Sequence, residues 1–336
     1  MNILIDINHP AHVHYFKNLY RKLKQSDNKV VVVTRNKEIE EELLTALDIP
    51  FIRRGAGAKS LLGKFFYHLY AVIFIYTIIK KHKIDKVISF MHPYAAQAAY
   101  LAGIKSCIYS DTEHAKLHHK FTVPFASKIL TPYCYRNNLG KNYVTFKGFM
   151  ELSYLHPNYF KPNKKVLDSL SYDHKKPITI VRFVSWGAVH DLGYKGLSKA
   201  DKIKLVKTVS EFSNVFVSSE GDLPDEIKEF NLIINKIMIH ELLANSDLFI
   251  GESATMASES AILGTPAIYI NKLNLGYLEE LENKYNMVYN FNEHIETIDD
   301  VIKVASDVIK QKMDHHNSII DDCIDVTEYM YDQIIQ

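Results

Sequence analysis

The most chemically loaded stretch runs from Leu248 to Ile270, Leu-Phe-Ile-Gly-Glu-Ser-Ala-Thr-Met-Ala-Ser-Glu-Ser-Ala-Ile-Leu-Gly-Thr-Pro-Ala-Ile-Tyr-Ile. Ser253 and Thr255 bring hydroxyl donors to a turn that a strand over Leu248 to Ile250 enters and a helix leaves. A helix starting near Thr255 points unpaired N–H groups and its positive dipole end into that turn, which suits a phosphate or diphosphate. Glu259, about one turn inside the helix, faces the same ligand with a carboxylate able to accept both hydroxyls of a ribose. Gly264-Thr265-Pro266 ends the helix ahead of a strand over Ala267 to Ile270. The competing explanation is mechanical, because small residues at such a corner also let any α/β protein pack a helix closely on its sheet.

Three further turns carry reactive groups. Asn8-His9-Pro10-Ala11-His12-Val13-His14 places three histidines in the first strand-to-helix turn. His12 and His14 lack the i, i+4 spacing of a helical metal pair, so proton transfer is the better use. The amino end of a helix favours the neutral, basic imidazole, and His12 is the candidate catalytic base, with capping or packing as the plain alternative. Asp111-Thr112-Glu113-His114 follows another strand. Asp111 and Glu113 there either bind acceptor hydroxyls and shift one another's pKa, or belong to a solvated loop. Arg182-Phe183-Val184-Ser185-Trp186-Gly187, followed by His190-Asp191, holds the only Trp. The fork of Arg182 matches a phosphate or a structural carboxylate.

Strands alternating with helices must position these turns. Strands are expected at Ile3 to Ile5, Val30 to Thr34, Ile49 to Ile52, Lys86 to Phe90, Ser106 to Tyr109, Ile129 to Pro132 and Tyr143 to Lys147. A second series follows at Ile178 to Phe183, Val215 to Ser218, Leu232 to Ile234 and the two strands of the opening stretch. Helices are expected between them, among others at Asp225 to Phe230 and His240 to Asn245, while Arg53 to Gly57 reads as loop. Prolines and lysines from Gly148 to about Pro177 mark a connection. The expected domains are 1–160 and 161–320, with a last helix in 321–336 packing back on the first. Functional groups should gather at the carboxyl ends of the strands.

A chain of 336 residues, 47% of them hydrophobic, can build two cores. Its net charge is +1, with Lys and Arg scattered, so a nucleic-acid surface has no electrostatic support. Cys107, Cys134 and Cys323 are far apart and odd in number, which fits a reducing cytoplasm. Met1 leads directly into the first strand without a signal-peptide pattern. Leu61 to Ile79 is the segment that strains a soluble assignment, although its unbroken run, Leu69 to Ile79, is too short to span a bilayer. Either it is a helix buried against the first sheet, or the segment 59–83 lies on anionic lipid as a peripheral contact at the inner membrane face. Lys59, Lys64 and Lys80-Lys81-His82-Lys83 would then meet the headgroups.

Along the whole chain, Asp6-Ile7-Asn8-His9-Pro10-Ala11-His12-Val13-His14, Asp111-Thr112-Glu113-His114-Ala115, Val181-Arg182-Phe183-Val184-Ser185-Trp186-Gly187-Ala188 and Gly251-Glu252-Ser253-Ala254-Thr255-Met256-Ala257 carry a resemblance. It is to a family of predicted archaeal and bacterial glycosyltransferases catalogued as a domain of unknown function. Ser253, Glu259 and Gly264-Thr265-Pro266 also resemble the nucleotide-sugar motif of GT-B glycosyltransferases and of non-hydrolysing UDP-N-acetylglucosamine 2-epimerases. The Ala11-His12-Val13 turn is similar to the Gly-His turn of the transferase that adds N-acetylglucosamine to the peptidoglycan lipid precursor, with Pro-Ala where that enzyme has glycines.

The resemblance implies an α/β fold of GT-B architecture, two Rossmann-like doubly wound parallel-sheet domains facing a cleft. It implies transfer of a sugar from a nucleotide-sugar donor, UDP-linked, to a glycan or lipid-linked acceptor in surface polysaccharide synthesis. A 2-epimerase or hydrolase is the alternative, although the Gly-Thr-Arg-Pro-Glu turn of such epimerases is replaced here by Asn8-His9-Pro10-Ala11-His12. Ser253, Ala254, Thr255 and Met256 would hold the diphosphate and Glu259 the ribose, assisted by Arg182, Ser185, Trp186 and Met238. His12 would take the acceptor proton, with Asp111 and Glu113 beside it. Neither a metal nor a cofactor beyond the nucleotide-sugar substrate is implied.

Overall fold

Asn-Ile-Leu-Ile-Asp-Ile opens the chain as β1 (Asn2–Ile7), and its last five residues are buried. A strand covered on both faces reads as a continuous apolar run rather than an alternation. The computed structural model describes the chain apart from Lys37, Lys59, residues 185–195, 292–296 and 312–317, and Gln336. It forms two compact units, Met1–Tyr159 with Asp322–Gln336, and Phe160–Asp321.

In the first unit β1 is followed by α1 (Pro10–Gln25), β2 (Lys29–Thr34), α2 (Glu38–Ala46), β3 (Phe51–Arg53) and α3 (Leu61–His82). Then come β4 (Lys86–Phe90), α4 (Pro93–Ala102), β5 (Lys105–Tyr109), α5 (Lys116–Thr122), β6 (Lys128–Pro132), β7 (Tyr143–Phe146) and α6 (Leu152–Leu155). The sheet order is β3-β2-β1-β4-β5-β6-β7, with every pairing parallel. Successive strands leave β1 on opposite sides, so the turns after β1 and β4 diverge and open a crevice at the carboxyl ends.

The second unit runs β8 (Ile178–Phe183), α7 (Lys199–Ser210), β9 (Asn214–Ser219), α8 (Ile239–Ala244), β10 (Leu248–Gly251) and α9 (Ala254–Ile262). It continues with β11 (Ala267–Ile270), α10 (Gly276–Asn283), β12 (Val288–Phe291), α11 (Ile298–Gln311) and α12 (Ser318–Asp322). Its sheet order is β12-β11-β10-β8-β9, again all parallel. Val181, Ile250 and Ile268 pack there with Leu205 and Val206 of α7 and Val301 of α11.

Several local expectations change. The third strand sits at Phe51–Arg53 rather than Ile49 to Ile52, and Arg54, expected in a loop, is fully buried. Asp225–Phe230 is a 3-10 helix, and Leu232 to Ile234 forms no strand beside it, only the bridge Val217 to Asn231 next to it. Ile233 points to solvent at 84% exposure, so the apolar triplet has no second face to bury. β12, a half-buried edge strand, is not announced by its residues. The connection is also shorter than its prolines imply, because Phe149, Met150, Leu152 and Tyr154 are buried in the first unit. α13 (Val326–Ile335) packs on α1 and α6, with Thr327 Oγ1 donating to Ser153 O at 2.7 Å and Lys22 Nζ 2.6 Å from Glu328 Oε1.

Candidate functional site

β10 ends against β8, and this close approach sets up the turn of the second unit. A Cβ on Gly251 would lie 2.8 Å from Arg182 O, so only glycine lets the strands meet there. Ser253, extended at φ −94° and ψ 112°, caps α9, and its Oγ accepts Met256 N at 3.4 Å. The helix thus starts one residue earlier than Thr255. Ala257 N is the first amide with an i−4 partner, Ser253 O at 3.0 Å, so Ala254 and Thr255 N–H have none within the helix. Ala254, Thr255 and Met256 are half-buried.

Glu252, in the same turn, is buried and accepts Val184 N at 3.1 Å and Leu197 N at 2.8 Å. One carboxylate therefore ties both ends of the segment that carries Ser185 and Trp186, which lie outside the described residues together with His190 and Asp191. Glu259 is buried on α9, and its Oε1 is 2.9 Å from Nε2 of His240, a buried residue of α8. The sequence places His240 only at the start of a helix, and no local signal links it to a residue in another helix. Met238, half-buried, is the N-cap residue of α8. Arg182 turns its fork towards β9, with Nη1 donating to Ser218 Oγ at 2.7 Å and Nη2 to Glu220 Oε1 at 2.6 Å. The structural-carboxylate alternative for Arg182 is the one its contacts realise.

In the first unit the three histidines have different surroundings. His9 is the N-cap of α1, its Nδ1 accepting Ala11 N at 3.2 Å, and Pro10 occupies the first helical position. His14 lies 5.4 Å from the Tyr154 ring. His12 is buried between Phe90, 4.8 Å away, and Tyr15, 6.3 Å away. Burial holds its pKa well below the usual histidine range, and the charges of His9 and Arg35 add to this. Its Nδ1 accepts Asn8 N at 3.3 Å, which puts the proton of the neutral ring on Nε2. In this tautomer Nε2 donates; the expected base therefore presents a hydrogen-bond donor.

Asp111 at the end of β5 is buried beside the same aromatic group. Tyr15 Oη donates to its Oδ2 at 3.2 Å and Thr112 Oγ1 to its Oδ1 at 2.8 Å. Burial raises its pKa to about 6, the Glu113 charge adds to the rise, and the two hydroxyls hold it back. Glu113 is half-buried and accepts Arg136 N at 3.5 Å through Oε1. Tyr15 thus brings His12 and Asp111 into one neighbourhood from strands separated by β4.

Arg54 supports this turn from below. It donates to Asp6 and to Asn8, Asn8 Nδ2 donates to Asp6 Oδ2 at 2.8 Å, and the Arg54 guanidinium lies 5.0 Å from the Tyr94 ring centroid. His92, the N-cap residue of α4, is 5.0 Å from His118 and 4.2 Å from Tyr94 between ring centroids, and burial drives its pKa down too.

Solved structures of similar fold include the UDP-GlcNAc 2-epimerase from Methanocaldococcus jannaschii, with TM-score 0.73, 14% identity and coverage of 100% of this chain and 99% of that one. They also include the spinosyn forosaminyltransferase SpnP, with TM-score 0.65, 12% identity and full coverage of both chains. The fold is the GT-B architecture. Among sequences, the uncharacterized protein MJ0665 of Methanocaldococcus jannaschii is 26% identical over 326 residues, covering 93% of each chain. The family described as "Protein of unknown function (DUF354)" matches residues 1–336, and the chain belongs to it.

Proposed function

We propose that this member of the DUF354 family is a glycosyltransferase that moves a sugar from a UDP-linked donor to a hydroxyl of a glycan or lipid-linked acceptor, without a metal ion. The observation that carries this is the amino end of α9, where the Ser253 cap and the Ala254 and Thr255 amides lie ahead of a buried Glu259 oriented by His240. Those amides and the helix dipole suit a diphosphate, and Glu259 suits the ribose hydroxyls. Met256 and Met238, half-buried at the starts of α9 and α8, pack beside the donor. Arg182 is committed to Ser218 and Glu220 and is assigned no phosphate.

On the acceptor side the Asp111 carboxylate takes the hydroxyl proton, the acceptor oxygen attacks the anomeric carbon, and the bond to the diphosphate breaks. A carboxyl raised to about 6 is ionised at neutral pH yet more basic than a free aspartate. His12 orients the acceptor by donating from Nε2, and Glu113 tunes Asp111.

A second reading, a nucleotide-sugar 2-epimerase or hydrolase, is favoured by the same Asp111, which can give and take a proton near neutral pH. The forosaminyltransferase of this fold supports the first reading and the solved 2-epimerase the second. Incubation with labelled UDP-N-acetylglucosamine alone separates them. Slow background hydrolysis is expected for transfer; rapid formation of an epimer or of free sugar without acceptor moves the assignment to the second class.

A further inference from the structure

α3 has two apolar faces, and the first unit covers only one. Ala71, Val72, Ile75, Ile78 and Ile79 are buried in the core with Val87 and Ala95. On the opposite side Leu62, Phe65, Phe66, Leu69, Tyr70 and Ile73 are between 46 and 75% exposed, at the i, i+3, i+4 spacing of one helical stripe. Leu117 and Phe121 of α5, 66% and 44% exposed, extend the stripe. His68 joins the two helices, its ring 6.3 Å from Phe121, and Gln97 links His68 Nε2 at 2.7 Å to Phe121 O at 2.9 Å.

The charge of the segment that builds this surface is predominantly positive. Residues 55–150 contain thirteen Lys and Arg but only three acids, Asp85, Asp111 and Glu113, so this segment carries +10 in a chain whose total is +1. The scatter of basic residues expected from the total is therefore a cancellation between parts of the chain. α3, α4 and α5 contain no acidic residue. Lys64, Lys80, Lys81 and Lys83 are exposed on or just after α3, and Lys116 and Lys120 on α5.

We propose that the exposed stripe of α3, extended by Leu117 and Phe121, seats the protein on an anionic lipid surface. Exposed aromatic and aliphatic side chains with lysines and no acids match the acyl boundary and the phosphate layer of such a bilayer. Leu62–His82 is long and apolar enough to cross a membrane by length and composition. Its other face is part of the first core, however, so the helix lies along the surface instead of entering as a span. This docking goes beyond the proposed transfer and does not rest on it.

The test is flotation of the full chain with phosphatidylcholine vesicles, with and without phosphatidylglycerol. The bound fraction is expected to be about ten-fold or more higher with the anionic lipid and to fall with salt. Phe65→Ser, Phe66→Ser and Ile73→Ser together should lower it by about ten-fold with an unchanged circular dichroism spectrum. Lys64→Glu with Lys120→Glu, at exposed positions, should act in the same direction and keeps the test open if the apolar variant misfolds. Failure of the wild type to float with anionic vesicles, or flotation unchanged in both variants, overturns the proposal. So does a wild-type dimer that the triple substitution makes monomeric while neither protein floats, because the stripe would then bind a second copy.

Discussion

Arg54 and Asp6 form an ion pair with no exposed surface on either side chain, directly beneath the turn that carries His12. Removing one partner of such a pair leaves an uncompensated buried charge. Arg54→Met should destabilise the protein by about 3–5 kcal/mol, while adding Asp6→Leu recovers more than half of the loss. Calorimetric melting of the two variants checks this, and equal melting temperatures for both would show that the pair is not energetically coupled.

Asp111 titrates at about 6 in the fold against 3.8 when free. Between these values the folded state keeps a proton that the unfolded chain has released, so the contribution of this group to stability falls as pH rises. The loss is about 3 kcal/mol and is complete above roughly pH 6 to 7. Asp111→Asn should therefore melt above the wild type at neutral pH, with the gap closing towards about pH 4. Turnover by the same variant should drop about 100-fold or more if Asp111 takes the acceptor proton.

Glu259→Ala should weaken UDP binding by about 10- to 100-fold, as measured by titration calorimetry, because the buried carboxylate that His240 orients would no longer accept the ribose hydroxyls. His12→Ala should leave UDP binding unchanged and remove most turnover. Equal losses of UDP affinity in the two variants would contradict the division between donor and acceptor groups.

Gly251→Ala places a Cβ 2.8 Å from Arg182 O, between paired strands that cannot separate cheaply. A cost of about 1–3 kcal/mol is expected in thermal melting. Gly221→Ala is the control, since an added Cβ there meets nothing within 4 Å.

Much of the fold was legible because its signals are local. β1, β4, β8 and β10 are mostly apolar and β-branched stretches, and Pro10, Ser253 and Gly264 mark helix ends through capping and backbone geometry that depend on a few neighbours. The Leu232 to Ile234 run misled, because an apolar triplet does not reveal whether a second face will cover it.

By itself the sequence determined two α/β units, the strand-to-helix turns that hold polar groups, and the capped start of α9. Tertiary structure decided what those polar groups do. Arg54 looks like a loop residue until the third strand carries it under β1, and Glu259 acquires His240 only when α8 packs on α9. Glu252 becomes an anchor, and Arg182 turns to a carboxylate, through atoms supplied by distant segments. Burial and long-range hydrogen bonds set the charge, tautomer and orientation of a side chain, and both exist only once the sheets have assembled.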